Sequence, residues 1–246
     1  MNIVSNNELI VWIQLDNKFF NIDRSICIGC IYIPPEGSSY IATTEKCFTS
    51  IETEVMKFSV DSDIFLCGDL NARTCDYNDF SNPIPGNNGP LNSHDYLVQH
   101  DSRSTIPSAT LVKRSSQDLS RPNRYGKELL NLCKSSNLLI CNGRFGQDQG
   151  TGKFTCFTAR GMSVVDYLIA SYSGVRYLKK FTVESLRAES DHCPIMYNLN
   201  IKYSINSTCS RKTTVTGQGI TYYKWDDTRI SKYFEQLTSE VSCEKL

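Results

Sequence analysis

No apolar stretch in this sequence reaches the roughly eighteen residues that a membrane helix needs, so no membrane-spanning helix is expected. A basic N-terminal region followed by an apolar run is also missing, so no signal peptide is expected. Neither sign of charge is in excess: Lys and Arg total 26, Asp and Glu total 26, and no overall field steers the chain toward nucleic acid. Histidine is scarce, at three residues in 246. No second Cys or His pair stands at zinc-binding spacing beside Cys27-Ile28-Gly29-Cys30. That segment reads as strand, where a spacing of three sends the two sulfurs to opposite faces, and the expectation is two core thiols. No internal repeat is present, which argues against a repeat architecture.

What the chain does have is cysteine. The count of eleven is odd, and Cys27, Cys30, Cys67, Cys133, Cys141 and Cys156 sit inside apolar runs, where a free thiol behaves as a small hydrophobe. That usage suggests a reducing intracellular compartment, cytoplasm or nucleus. With 40% apolar and 21% charged residues the composition is that of an ordinary globular protein. At 246 residues one sizeable core with a tail fits better than two domains.

Periodicity sets the organisation. Leu9 to Leu15 alternates around Trp12 as a strand, and Ile26 to Ile33 is a nearly continuous apolar run, as in a strand buried on both faces, stopped by Pro34-Pro35-Glu36-Gly37. Thr43 to Phe58 carries Cys47, Phe48, Ile51, Val55 and Phe58 at helical spacing. Asp63 to Cys67 is a short buried strand, with Asp69 just past its end. Residues 72–122 are rich in Asn, Ser, Asp, Pro and Gly with no clear period, as in a functional or mobile loop. Asn123 is the expected N-cap of a helix running to about Ser136, whose apolar side is Leu129, Leu130, Leu132 and Cys133. Strands are then expected at Leu138 to Cys141, Phe154 to Thr158, Val164 to Ala170, Arg176 to Val183 and Pro194 to Ile201. The expected fold class is α/β: a two-sheet β-sandwich flanked by helices. Residues 1–202 form its domain, and 203–246 are a polar linker followed by an amphipathic helix over Asp226 to Val241.

Two short motifs carry chemistry. Asp69 and Asn71 in Gly68-Asp69-Leu70-Asn71-Ala72-Arg73 are two apart at a strand end, so both are expected on one side, with Gly68 clearing space for a substrate or metal. An Asp that caps a turn is the plain alternative. In Ser190-Asp191-His192-Cys193-Pro194, Pro194 holds the preceding residues in a stiff extended corner. There His192 can contact a phosphate oxygen or exchange a proton near neutral pH. Asp166 lies inside an apolar strand, where a carboxylate is costly unless paired; His192 is the natural partner, its ring tautomer then fixed by Asp166. His94 and His100, in the long polar loop, read as surface residues. Lys113, Arg114, Arg121, Arg124 and Lys127 form one basic cluster, and Arg176, Lys179 and Lys180 another; each is a local nucleic-acid face or simply a solvated one.

These pieces, in this order over residues 9 to 201, resemble the endonuclease/exonuclease/phosphatase family of deoxyribonuclease I and the apurinic/apyrimidinic endonucleases. Trp12-Ile13-Gln14-Leu15, Phe19-Phe20, Tyr32-Ile33-Pro34-Pro35-Glu36-Gly37, Gly68 to Thr74, Asn142-Gly143-Arg144 and Lys153-Phe154-Thr155-Cys156 look like the endonuclease domain of non-LTR retrotransposons, and Tyr223-Lys224-Trp225 like the segment that follows it. The resemblance implies a four-layer α/β/β/α sandwich and a Mg²⁺-dependent hydrolase, with Mn²⁺ as substitute, that cleaves DNA. It implies Tyr32 facing the scissile phosphate, Asp69 polarising water, Asn71 positioning it, His192 stabilising the phosphorane and Asp166 orienting His192. Asp69, Asn71 and Asp191 would serve the metal, and Arg73, Lys113 and Arg114 would meet the nucleic acid. The family also places an Asn and a metal-binding Glu before the segment that matches Trp12. Glu8 is the only acidic residue there and lacks that context. The resemblance therefore implies a domain incomplete at its N-terminus with weakened metal binding, either an impaired nuclease or a non-catalytic remnant.

Overall fold

Alternating and continuous apolar runs become the strands of one central sheet in the computed structural model, which describes residues 2–6, 9–38, 46–80 and 113–201. The sheet consists of β1 (Asn2–Asn6), β2 (Ile10–Leu15), β3 (Ser25–Tyr32), β4 (Ser62–Asp69), β5 (Leu138–Ile140) and β8 (Asp166–Ser171), in the order β1-β2-β3-β4-β8-β5. Among the described strands only β3 and β4 pair in parallel. Parallel neighbours need a crossover, and α2 (Cys47–Ser59) supplies it. A short α1 (Asn17–Phe20) links β2 to β3. The helix α3 (Arg124–Ser135) precedes β5. A small hairpin pairs β6 (Cys156–Thr158) with β7 (Gly161–Ser163), and a second, two-stranded sheet pairs β9 (Leu178–Val183) with β10 (Ile195–Leu199).

The period of two sorts each strand into two cores. Ile64 and Leu66 of β4 pack with Trp12, Phe48, Ile51, Leu129 and Cys133, so α2 and α3 cover one face. Phe65 and Cys67 pack the other way, with Leu168, Phe181, Val183 and Tyr197, against the second sheet. Each fully buried Leu, Ile or Phe in these layers contributes roughly 1.5–3 kcal/mol. The α/β class with two sheets is as expected. The described residues show helices, a six-stranded sheet and a two-stranded sheet as three layers, without the implied outer helical layer over β9 and β10. The pairing of β1 with β2 was not foreseen. The expected strand at Arg176 begins with a 3-10 turn at Gly174–Tyr177 and becomes strand only at Leu178. Residues 43–45 of the expected helix, His94 and His100, and the linker and helix at 203–246 lie outside the described residues.

Polar loops are fastened by buried charge. Asp79 accepts the Ile140 N–H at 2.7 Å and a bidentate pair from Arg144 at 2.7 and 2.8 Å. A fully buried ion pair thus seals the outer edge of β5, which no further strand covers among the described residues. Cys27 and Cys30 do face opposite ways, but Cys30 is exposed and not a core thiol. Its Sγ lies 3.9 Å from Cys67 Sγ, its register partner on β4.

Gly68 is required by the sheet itself. Its φ is +139°, and a Cβ there would stand 1.9 Å from the Ile31 carbonyl oxygen of β3. The close approach is thus from the neighbouring strand rather than from a substrate. Gly68→Ala is expected to destabilise the fold by more than about 1 kcal/mol, read from urea unfolding; wild-type stability in that variant would contradict the close approach.

Candidate active site

Strand register lines up the first three residues. Tyr32 of β3 pairs with Asp69 of β4, and Asp69 pairs with Asp166 of β8. All three share parity with Phe65, Leu168 and Ile28, so the row lies on the face turned toward the second sheet. Tyr32 is 56% exposed at one end of the row.

Asn71 reaches Asp69 through a turn and not through strand alternation, which is a correction to the expected geometry. The chain leaves β4 after Asp69, and Asn71 adopts φ +47°, a conformation that Asn tolerates better than most residues. Its N–H donates to Asp69 Oδ1 at 2.9 Å, and its Nδ2 donates to Asp69 Oδ2 at 3.1 Å and to the Ile33 carbonyl at 2.8 Å. Both amide protons are committed, so Oδ1 is the atom free to meet a ligand. Asn123 holds this turn from the other side. Its Nδ2 donates to the Asn71 carbonyl, while its Oδ1 accepts Arg73 N–H and the Gly126 N–H that it caps.

His192 is brought over the row by a short antiparallel stitch. Phe157 N–H donates to the Asp191 carbonyl at 2.8 Å, and Cys193 N–H to the Thr155 carbonyl at 2.7 Å. Thr155 also fixes Asp166, since its Oγ1 accepts the Val165 and Asp166 N–H groups, both at 3.0 Å. Asn142 clamps the same strand through Asp166 O and Leu168 N. His192 Nδ1 then lies 2.9 and 3.1 Å from the two Asp166 oxygens, and Nε2 lies 3.5 Å from Cys156 Sγ. Ligand atoms of Asp69, Asp166 and His192 lie within 4.8 Å of one another, as do those of Cys156, Asp191 and His192. An open cavity of about 560 Å³ borders His192, lined also by Arg187, Glu189, Ser190, Cys193 and Pro194.

Burial pushes the Asp69 carboxyl up to about 6, against the Asn71 N–H and with the Asp166 charge adding to the rise. Burial also raises Asp166, opposed by its hydrogen bonds from His192 and Thr155. For His192, burial works to lower the value. The Asp166 hydrogen bond and the carboxylates of Asp166, Asp69 and Asp191 outweigh it and leave the imidazole raised.

The structure brings Tyr32, Asp69, Asn71, Asp166 and His192 together. Asp191 is exposed and groups with Cys156 and His192 rather than with Asp69. The three expected DNA contacts separate. Arg73 is locked to Asp118 by two 2.9 Å bonds. Arg114 is 2% exposed and donates to Thr74 Oγ1 at 2.6 Å, so the expectation that it meets DNA is corrected: it is a buried structural cation. Lys113 is 57% exposed and pairs with Asp76 at 2.7 Å. Sequence reasoning missed the positioning roles of Thr155, Asn142 and Asn123 and the contact of Cys156, because isolated Thr, Asn and Cys residues carry no periodic signal.

No family model and no curated protein sequence matches the chain. Solved structures do show likeness. The endonuclease domain of TRAS1, a telomere-specific non-LTR retrotransposon, is 15% identical over 79% of this chain and 63% of its own, with a TM-score of 0.47. The 3'-5' exonuclease NExo from Neisseria meningitidis is 13% identical over 80% of this chain and 67% of its own, with a TM-score of 0.46. The 3' phosphatase NExo from Neisseria bound to product DNA hairpin is 14% identical over 80% and 66%, also at 0.46. The chain thus spans 63% of the length of the retrotransposon domain.

Asp69 makes stability depend on pH. The folded state holds its proton up to about pH 6, whereas the ordinary value is 3.8. Between these the folded chain binds more protons than the unfolded one, so this contribution falls as pH rises through the window. With chelator present, Asp69→Asn is expected to gain stability over wild type at about pH 7 and to lose that gain below about pH 4. Urea midpoints at the two pH values measure it, and an advantage of equal size at both would refute the raised carboxyl.

Proposed function

We propose that this chain is a metal-dependent phosphodiester hydrolase acting on DNA, of the non-LTR retrotransposon endonuclease type. The observation that carries the reading is the Tyr32–Asp69–Asp166 row with His192 pinned over it through Asp166. Asp166 holds the proton on Nδ1, which turns Nε2 outward to a phosphate oxygen, where an imidazolium offsets the charge that grows on phosphorus. Asp69 accepts a proton from the attacking water, its raised value bringing it toward neutral pH where a general base works best. Asn71 holds Asp69 in place and offers Oδ1, and the exposed Tyr32 hydroxyl meets the phosphate from the end of the row.

The donor set fits a hard cation. Asp69 and Asn71 Oδ1 offer only oxygen, the chemistry Mg²⁺ prefers, with Mn²⁺ as substitute, whereas Asp191 groups with Cys156 and His192. Two half-buried carboxylates side by side, Asp69 and Asp166, also gain from positive charge nearby. When bound, the metal supplies charge stabilisation and orientation of the phosphate. The free thiols of the described cysteines support a reducing compartment, cytoplasm or nucleus. No described helix is long and apolar enough to cross a membrane.

Supercoiled plasmid is expected to be nicked in Mg²⁺ and left intact in EDTA. His192→Ala and Asp69→Ala should each slow nicking on the order of a hundredfold or more. Wild type that does not nick in Mg²⁺ would favour the non-catalytic remnant, and full activity in His192→Ala would remove it from the mechanism. Lys113→Ala should weaken DNA binding and reduce the slope of log affinity against log salt by about 1. An unchanged slope returns Lys113 to a solvated face.

A further inference from the structure

Cys156 has no part in the hydrolysis described above, yet its sulfur lies against the working nitrogen of His192. Sγ and Nε2 lie 3.5 Å apart, and a carboxylate oxygen of Asp191 lies within 4.8 Å of the sulfur and of a ring nitrogen of His192. We propose that Cys156, His192 and Asp191 form a zinc site that shuts the hydrolase off. The inhibition rests on the reading of His192 given above; the binding does not.

Three features of the site carry the proposal. Zn–S near 2.3 Å and Zn–N near 2.0–2.1 Å at a tetrahedral angle separate sulfur from nitrogen by about 3.5–3.6 Å, and the observed gap already has that length. The donors are of the right kind: thiolate, imidazole and carboxylate select zinc over magnesium, whereas the oxygen donors Asp69 and Asn71 select the reverse. The outer shell is also built. Asp166 accepts from His192 Nδ1 at 2.9 Å, the carboxylate–histidine arrangement that fixes the tautomer leaving Nε2 free to ligate. Cys156 and His192 are held in place by backbone, since they face each other in an antiparallel bridge flanked by the Phe157–Asp191 and Cys193–Thr155 hydrogen bonds. Three protein ligands leave the fourth position to a water, and an open cavity borders His192.

Binding displaces the Cys156 thiol proton, and any proton on Nε2, to the buffer. No other bond forms or breaks and nothing is oxidised. With zinc on Nε2 the ring can neither donate to a phosphate oxygen nor carry charge beside it. Neither Cys156 nor His192 Nε2 belongs to the oxygen set of Asp69 and Asn71, so excess Mg²⁺ does not by itself clear zinc from the sulfur and nitrogen.

The test uses the full chain, Cys156→Ser and Asp166→Asn, titrated with Zn²⁺ against a chromophoric chelator and with Co²⁺ for the thiolate charge-transfer band. Wild type should bind one more equivalent of Zn²⁺ than Cys156→Ser and show a Co²⁺–thiolate band that this variant lacks. Asp166→Asn should weaken zinc binding by about 10–100-fold. In Mg²⁺, added Zn²⁺ should slow wild-type nicking on the order of a hundredfold, the size of a lost acid/base group. Cys156→Ser, measured against its own Mg²⁺ rate, should resist. Equal Zn²⁺ stoichiometry in wild type and Cys156→Ser overturns the site, and equal zinc sensitivity overturns its inhibitory role. If Cys156→Ser does not fold, Asp191→Asn at an exposed position removes the third ligand; unaltered zinc affinity there overturns the site as well. A wild type that binds zinc this way but never nicks in Mg²⁺ overturns both the hydrolase reading and the inhibition that rests on it, while the site stands.

Discussion

The hydrogen bond between the Asp166 carboxylate and His192 Nδ1 is the interaction on which the rest of the site depends. A half-buried carboxylate is costly without a partner, and an imidazole without one can carry its proton on either nitrogen. Each solves the other's problem at 2.9 Å. The pair forms only because two independent restraints converge. The antiparallel register of β4 with β8 sets Asp166 beside Asp69, and the short stitch between Thr155–Phe157 and Asp191–Cys193 lowers His192 onto it. Thr155 belongs to both restraints, with its backbone in the stitch and its hydroxyl oxygen on the Asp166 N–H.

The turn that carries Asn71 is bound to the helical layer in the same way. A cap residue ordinarily contributes about 1 kcal/mol to its helix. Asn123 caps α3 and, with the same side chain, satisfies the backbone of Asn71 and Arg73. Packing on the helix face of the sheet is thereby transmitted to the geometry of Asp69 on the opposite face. Gly126 allows this closeness, since a Cβ there would stand 1.8 Å from the Arg73 carbonyl oxygen.

Several cations close to the site serve the fold. Arg144 is sealed against Asp79, Arg114 lies in the core beside Thr74, and Arg73 is forked onto Asp118. Buried charge is costly unless paired and hydrogen-bonded, a condition that Arg144 and Arg73 meet with Asp79 and Asp118. The positive charge left for a polyanion is correspondingly reduced, in keeping with a chain whose charges balance overall. Lys113 and Arg187 lie outside the core, as do the exposed Lys127, Lys179 and Lys180.

The sequence by itself determined the elements and the cast of residues. Apolar runs marked β2, β3, β4 and β8, helical spacing marked α2 and α3, and Asn123 stood out as a cap because a short polar side chain before an amphipathic run has one common use. Asp166 drew attention as a carboxylate in an apolar strand, and His192 by the stiff corner before Pro194. Only the tertiary structure decided which of these residues meet. Register is set by pairing between segments as far apart as Asp69 and Asp166, and no local pattern encodes it. For the same reason Arg114 looked like a surface cation and Cys30 like a core thiol. Charge and hydropathy are properties of a residue, whereas burial belongs to everything packed around it.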